Sequence, residues 1–329
     1  MGVSLRKNLK ALLFFAILGI TPVIYGQTTI NDVKASFNQA VQMEKINPEA
    51  AISSYETVIQ LADEVGGEEA VQIKDQALSR IPKMHYELAK KLASAKDYEG
   101  SVKMLDASIE GFNRIGDSRS KARSLSTILS IRNVQGAAAM NEGNYNEALA
   151  FYDDALQRNP NYTKGYLGKL LIYDKMEDID KMEETAVMGL QVCELENDNR
   201  TAGDIKKVMS AHFFNDAQTA MAGKEYAKAE SNLKSTIEYG NDNVIVNYQL
   251  GLAQKSQNKW DDAVVSYNKA LELETGGAEE KAKIYFGLGE AYQALGQNAQ
   301  ACGAYKNALF GEFTEAAQYQ IDNVLECDK

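Results

Sequence analysis

Two histidines and three cysteines carry the most versatile chemistry in this chain of 329 residues. A histidine near neutral pH can pass a proton or bind a metal, and a thiolate can attack, ligate or oxidise. Such chemistry needs partners. His85 and His212 each lack a second histidine or a cysteine at ligand spacing. Each therefore reads as a packed or solvent-facing side chain, not a metal ligand or a catalyst. Nothing has the form of a glycine-rich phosphate loop, a strained serine elbow or a zinc spacing. Carboxylates are plentiful, but Asp261-Asp262 and Glu279-Glu280 fall where helices should start, and there negative charge complements the helix dipole. The expectation is a chain with no catalytic residues, no metal and no cofactor, one that binds rather than reacts.

Binding residues need elements to carry them, and the elements repeat. Near the C-terminus Tyr285, Leu288, Gly289, Tyr292, Gly296, Ala301, Tyr305, Ala308 and Leu309 fall at a spacing found again upstream. Gly289 and Ala301 sit where two helices must approach closely. The aromatic and leucine positions follow i, i+3 and i+4 and fill the space between helices. Gly296 supplies an easy left-handed end to the first helix. A second copy reads Leu250, Gly251, Ala263, Tyr267, Ala270 and Leu271. A third reads Gly136, Gly143, Tyr145, Ala148, Tyr152, Ala155, Leu156 and Pro160, and a fourth Phe213, Ala217, Tyr226, Ala229, Leu233 and Ile237. Weaker units centre on Leu88-Ala89 with Ser101 and Leu105, on Tyr166 and Leu170 with Ala186 and Leu190, and on Ala51 with Tyr55 and Ile59.

The small position thus steps through residues 51, 101, 148, 182, 229, 263 and 301, with Met182 the poorest fit. Two of these steps span 34 residues and the rest are longer. Residues 62–80 and 115–130 should lengthen first helices, after breaks at Gly66-Gly67 and Gly116-Asp117. Pro82 should kink its helix or end it locally.

This spacing resembles the tetratricopeptide repeat, a helix–turn–helix unit of about 34 residues. The resemblance covers residues 31–310. It implies an all-α fold: a right-handed superhelical solenoid of about seven helical hairpins over residues 27–310. A capping helix should close it over residues 311–329. There Phe313, Ala317, Ile321, Val324 and Leu325 would form the buried stripe, and Glu315, Gln318, Asp322 and Glu326 the outer face. Cys302 would lie early in the last second helix and Cys327 at the end of the cap. Two readings stand: a Cys302–Cys327 bridge, which needs Cα atoms within roughly 7 Å, or buried small hydrophobes. Cys193 is a lone thiol in either case.

The resemblance also implies where binding occurs, since first helices line the inner, concave wall. The row projecting there holds Tyr86, Asn133, Leu167, Phe214, Tyr248 and Phe286. One turn on lie Lys90, Ala137, Leu171, Gln218, Leu252 and Glu290. Aromatic rings with polar neighbours suit an extended peptide or a partner helix. The competing view is that these rings pack against adjacent first helices. The row carries little positive charge, so the carboxylate clamp of some family members is not expected. Two functions follow: a scaffold holding a protein or peptide, or a glycan or small-molecule binder that stacks its ligand on Tyr248, Phe286 and Phe214.

Charge and the N-terminus set the compartment. Residues 1–10 are basic, residues 11–20 form a short apolar core, Thr21-Pro22 breaks it, and Gly26 precedes a favoured cut before Gln27. This is the form of a signal peptide. The alternative is an uncleaved anchor over residues 11–25, against which the short core and Pro22 argue. Net charge is −11, and removing Arg6, Lys7 and Lys10 leaves 32 basic against 46 acidic residues. A body this acidic repels phosphate backbones, so nucleic acid is not an expected partner, and no stable membrane span is expected after cleavage. The expected setting is a bacterial periplasm or cell surface, or outside the cell.

Overall fold

A computed structural model describes residues 28–327. Fifteen α-helices and no strand occur among the described residues. They are α1 (Ile30–Met43), α2 (Pro48–Val65), α3 (Glu68–Ser94), α4 (Tyr98–Arg114), α5 (Ser118–Asn141), α6 (Tyr145–Arg158), α7 (Thr163–Met176) and α8 (Ile179–Glu196). They continue with α9 (Asn199–Ala222), α10 (Tyr226–Glu238), α11 (Val244–Lys255), α12 (Trp260–Leu273), α13 (Ala278–Ala294), α14 (Asn298–Asn307) and α15 (Thr314–Tyr319). The signal-peptide segment, residues 1–26, lies outside the described residues.

The chain forms two compact units that divide between Ser124 and Leu125, inside α5. In unit 1, α1 packs on α2, α2 on α3 and α3 on α4, and α1 also touches α3. In unit 2, each helix from α6 to α14 packs on the next. The first helices of adjacent hairpins also meet, α7 on α9 and α11 on α13. This is a stacked-hairpin, solenoid-type arrangement within each unit.

Short polar side chains set where the helices begin. Asn47 accepts from the backbone N–H groups of Glu49 and Ala50 ahead of Pro48, and Asp97, Asp178, Asp198 and Asn243 cap α4, α8, α9 and α11 in the same way. Helix ends use a left-handed residue. Gly296 takes that position after α13 at φ +70, but Lys224 takes it after α9 at φ +61 and Asn258 after α11 at φ +59. A repeat can therefore lose its turn glycine and keep its turn, at a modest strain.

All seven small positions, Ala51, Ser101, Ala148, Met182, Ala229, Ala263 and Ala301, are fully buried. One turn further along each second helix, Tyr55, Leu105, Tyr152, Ala186, Leu233, Tyr267 and Tyr305 are buried too. The tyrosines explain the glycines. A Cβ placed on Gly251 or on Gly287 would come within 2.7 Å of the Tyr267 ring. One ring is thus held between its own first helix, α11, and the next, α13. The Tyr267 hydroxyl is buried with no hydrogen-bond partner, and burial pushes it far above the usual phenol range. Tyr305 packs on Gly289 and donates from its hydroxyl to Gln293 Oε1 at 2.8 Å.

Two expectations need correction. Of the two outcomes expected at Pro82, a kink or a local end, the end does not occur, since α3 runs on through it to Ser94. The ring is accommodated because it packs on Gly111 of α4, and Ser108 Oγ donates to the Pro82 carbonyl at 2.9 Å. The C-terminal segment is also not one helix. It comprises a 3₁₀ turn (Gly311–Phe313), α15 and a π turn (Gln320–Val324). Ala317 and Ile321 are buried and Phe313 and Leu325 partly so, but Val324 is exposed. The wider π turn, with Leu325 N–H donating to Gln320 O at 2.9 Å, rotates Val324 off the inner stripe.

Close approach makes a paired prediction. Gly251→Ala and Gly287→Ala should each lower stability by about 1–3 kcal/mol through overpacking. Gly203→Ala, on an open face of α9 with nothing within 4 Å, should raise it by up to about 1 kcal/mol. Urea midpoints measure both, and shifts of one sign in all three variants would show that packing is not what selects glycine.

Candidate partner-binding surface

The structure places every residue of the first-helix row on a first helix. In unit 1, Tyr86 lies on α3, half-buried, with the Arg123 guanidinium 5.1 Å and the Lys90 ammonium 5.9 Å from its ring centroid. Lys90 is itself exposed and paired with Glu87 at 2.9 Å. In unit 2, Asn133 lies on α5, Leu167 on α7, Phe214 and Gln218 on α9, Tyr248 on α11, and Phe286 and Glu290 on α13. All are half-buried except Gln218, which is exposed.

Half-burial has a different origin at each apolar side chain. Leu167 packs against the cluster of Leu170, Met182 and Ile205. Phe214 packs against that of Ala217, Leu233 and Leu250. Tyr248 tilts on Tyr267 at 6.0 Å, and the Lys283 ammonium sits 5.3 Å from its centroid. Burial raises the Tyr248 phenol above its usual range. Phe286 packs edge-on with Tyr305 and tilted against Phe313, each at 5.5 Å, and is half-buried. The exposed members of the row are Lys90 in unit 1 and Gln218 in unit 2.

Cross-repeat contacts recur at one spacing. Lys255 pairs with Glu290 at 2.6 Å, Asn161 donates to Glu196 at 2.7 Å and Thr163 to Asp198 at 2.7 Å; in each case the partners are 35 residues apart. Tyr248 and Lys283 share that separation. Sequence reasoning missed these pairs, although complementary side chains one repeat apart were the signal for them.

The strongest charge cluster lies elsewhere in unit 2. Glu230 on α10 is almost fully buried. Burial pushes its carboxyl up, but hydrogen bonds from Lys234, Lys259 and Gln257 outweigh that and hold it at about 2. The two lysine contacts are 2.7 and 2.6 Å and the Gln257 contact 2.9 Å. The cluster ties α10 to the turn between α11 and α12.

The two histidines belong to different units. His85 lies on α3 with Nδ1 buried and unpartnered, and burial lowers its pKa. His212, on α9, sits with Nδ1 3.0 Å from Asp174 and Nε2 3.8 Å from Asp216. Among the described residues no group of three or more His, Cys, Asp or Glu is placed to hold a metal ion. Cys302 and Cys327 are bridged, with Cα atoms 5.7 Å apart, and Cys193 is free and buried. A groove of about 500 Å³ in unit 1 is lined by Pro82, His85, Gly111 and Arg114. One of about 620 Å³ in unit 2 is lined by Cys193, Lys206 and Tyr239. Neither is lined by a member of the row. No described helix is long and apolar enough to cross a membrane.

Comparison with known proteins bears on the repeat. Two tetratricopeptide-repeat models match, one over residues 131–162 and one over residues 284–309. No curated protein matches the chain. Among solved structures, the MamA protein is 18% identical at a TM-score of 0.34, covering 60% of this chain and 97% of its own. YrrB, titled a TPR protein with an unusual peptide-binding site, is 16% identical at 0.31, covering 65% and 93%. The TPR2AB-domain:pHSP90 complex of yeast Sti1 is 14% identical at 0.28, covering 75% and 96%. At TM-scores this low, none of the three carries weight on function.

Two predictions follow from the packing and the charges. Phe286→Ala should cost about 2–4 kcal/mol, since it removes a ring packed on both Tyr305 and Phe313. Gln218→Ala should stay within about 0.5 kcal/mol; thermal and denaturant unfolding compare the two. For Glu230 the folded pKa lies below the unfolded one, so its contribution is complete above the unfolded value of 4.5 and fades as pH falls toward 2. Glu230→Gln should lose on the order of 2–3 kcal/mol at neutral pH and show a flatter stability profile between those limits. An unchanged slope would show that Glu230 is not the titrating group.

Proposed function

With tetratricopeptide-repeat models matched at two segments and the small positions of the repeat buried along the chain, this is a tetratricopeptide-repeat protein, and we propose that it serves as a non-catalytic scaffold that holds a protein or peptide partner. The observation that carries the reading is the row on α5, α7, α9, α11 and α13 of unit 2. Its apolar members are anchored in the hairpins, while Gln218 is exposed and Asn133 half-buried beside them. A surface with pre-ordered apolar side chains and adaptable hydrogen-bonding groups suits an extended chain or a helix.

The glycan-stacking alternative draws less support. It needs free ring faces, but Phe286 packs against two rings and Tyr248 has Lys283 over it. Export to a bacterial periplasm or cell surface is part of the proposal. The Cys302–Cys327 bridge supports it, because such bonds persist in oxidising compartments. Nucleic acid remains an unfavourable partner for so acidic a chain.

The test is capture from envelope extract on immobilised residues 27–329. A retained polypeptide should bind at least about tenfold more weakly to Asn133→Ala/Gln218→Ala. It should bind normally to Val265→Ser, which alters an exposed second-helix position. Equal loss in both variants would place the binding surface elsewhere. The native protein should start at Gln27 by intact mass, and a chain retaining residues 1–26 would remove the cleaved-signal reading.

A further inference from the structure

The C-terminal segment has little local structure of its own. Its helical pieces are three, six and five residues long, far below the length at which a helix is stable in isolation. It is held to the last hairpin by a few side chains. Ala317, Ile321 and Leu325 lie against Ala301, Tyr305, Ala308 and Leu309, and Phe313 meets Phe286 at 5.5 Å. Gly311, at φ +54, marks the hinge where the segment leaves α14. At its far end Cys327 is bonded back to Cys302 on α14, across 25 residues of sequence. A covalent link at the end of a weakly held segment closes a loop whose opening would otherwise be fast.

We propose that the Cys302–Cys327 bridge is a redox latch: a dithiol reductant opens it, the cap formed by residues 311–327 detaches, and the apolar end of α13 and α14 is uncovered. The exchange balances. A thiolate of the dithiol attacks one sulfur of the bridge and displaces the other as a thiolate. The second thiol of the reductant then closes its own disulfide and frees the remaining cysteine. Two electrons and two protons pass from the dithiol to Cys302 and Cys327. Both cysteines are partly exposed, so a reductant can reach them, whereas Cys193 is buried. Burial also raises the Cys193 thiol above its usual range, which makes it a slow competitor in exchange. The residues uncovered include the rings of Phe286 and Tyr305, so the reduced form carries an apolar surface that the oxidised form hides.

The loop-closure effect of the bridge corresponds to a shift on the order of a hundredfold in the ratio of closed to open cap. Hydrogen–deuterium exchange of the full chain in a Cys193→Ala background measures it, with and without dithiothreitol. Amides of residues 314–325 should exchange on the order of a hundredfold faster after reduction, those of α11 and α12 should not change, and re-oxidation should restore protection. Cys302→Ser/Cys327→Ser should match the reduced form with no reductant present. Equal cap protection in the oxidised and reduced forms would overturn the proposal. So would loss of protection across α11 to α14 together, because the bridge would then hold the unit and not the cap. Labelling of both cysteines by iodoacetamide before reduction would show that no latch forms.

Discussion

A tyrosine ring pressed against a helix that offers no side chain is the contact on which the hairpin stack of unit 2 rests. Tyr267 lies between Gly251 and Gly287, and Tyr152 between Gly136 and Gly168, so in each case one ring joins its own hairpin to the next. Two helices can approach at that distance only where Cβ is missing, and the ring fills the space that remains. The contact is apolar enough to leave the Tyr267 hydroxyl buried without a partner. Packing of the ring outweighs the cost of that unmet hydrogen bond.

Other hairpins reach the same end by other means. Leu105 and Leu233 fill the tyrosine position with aliphatic bulk, and Ala186 leaves it small where Met182 takes up volume at the neighbouring small position. In unit 1, Tyr55 keeps the ring and adds polar ties. Its hydroxyl donates to Glu44 at 2.5 Å, and Arg80 donates to the same carboxylate at 2.8 Å. Volume is conserved across these positions while residue type is not, as expected when close packing is the constraint.

Because the stack forms through side chains that alternate between neighbours, rings on first helices are drawn inward. This changes how the candidate surface is understood. Phe286 and Tyr248 stand in the same row as Asn133 and Gln218, but they also pack on Tyr305, Phe313, Tyr267 and Lys283. The row is part core and part surface, and Gln218 is its exposed member in unit 2. The ion pair from Lys255 to Glu290 shows how adjacent first helices are also fastened along their edges.

The sequence by itself determined the all-α class, the hairpin unit and the small positions that become buried, because helical periodicity and residue volume are local properties repeated many times over. It also marked two of the long first helices, α3 and α5, through glycines placed before them, but not α9, which follows Asn197 and Asp198. What it did not determine was the fate of single side chains. The passage of α3 through Pro82 depends on Gly111 arriving from another helix. The division of the aromatic row into anchored and accessible members depends on Phe313 and Lys283. The break of the C-terminal segment into three short pieces depends on fitting Ile321 against Tyr305 and its neighbours while Cys327 returns to Cys302. Each of these outcomes is set by groups far apart in the chain. Periodicity says which face of a helix turns inward, and only the tertiary structure decides what it meets there.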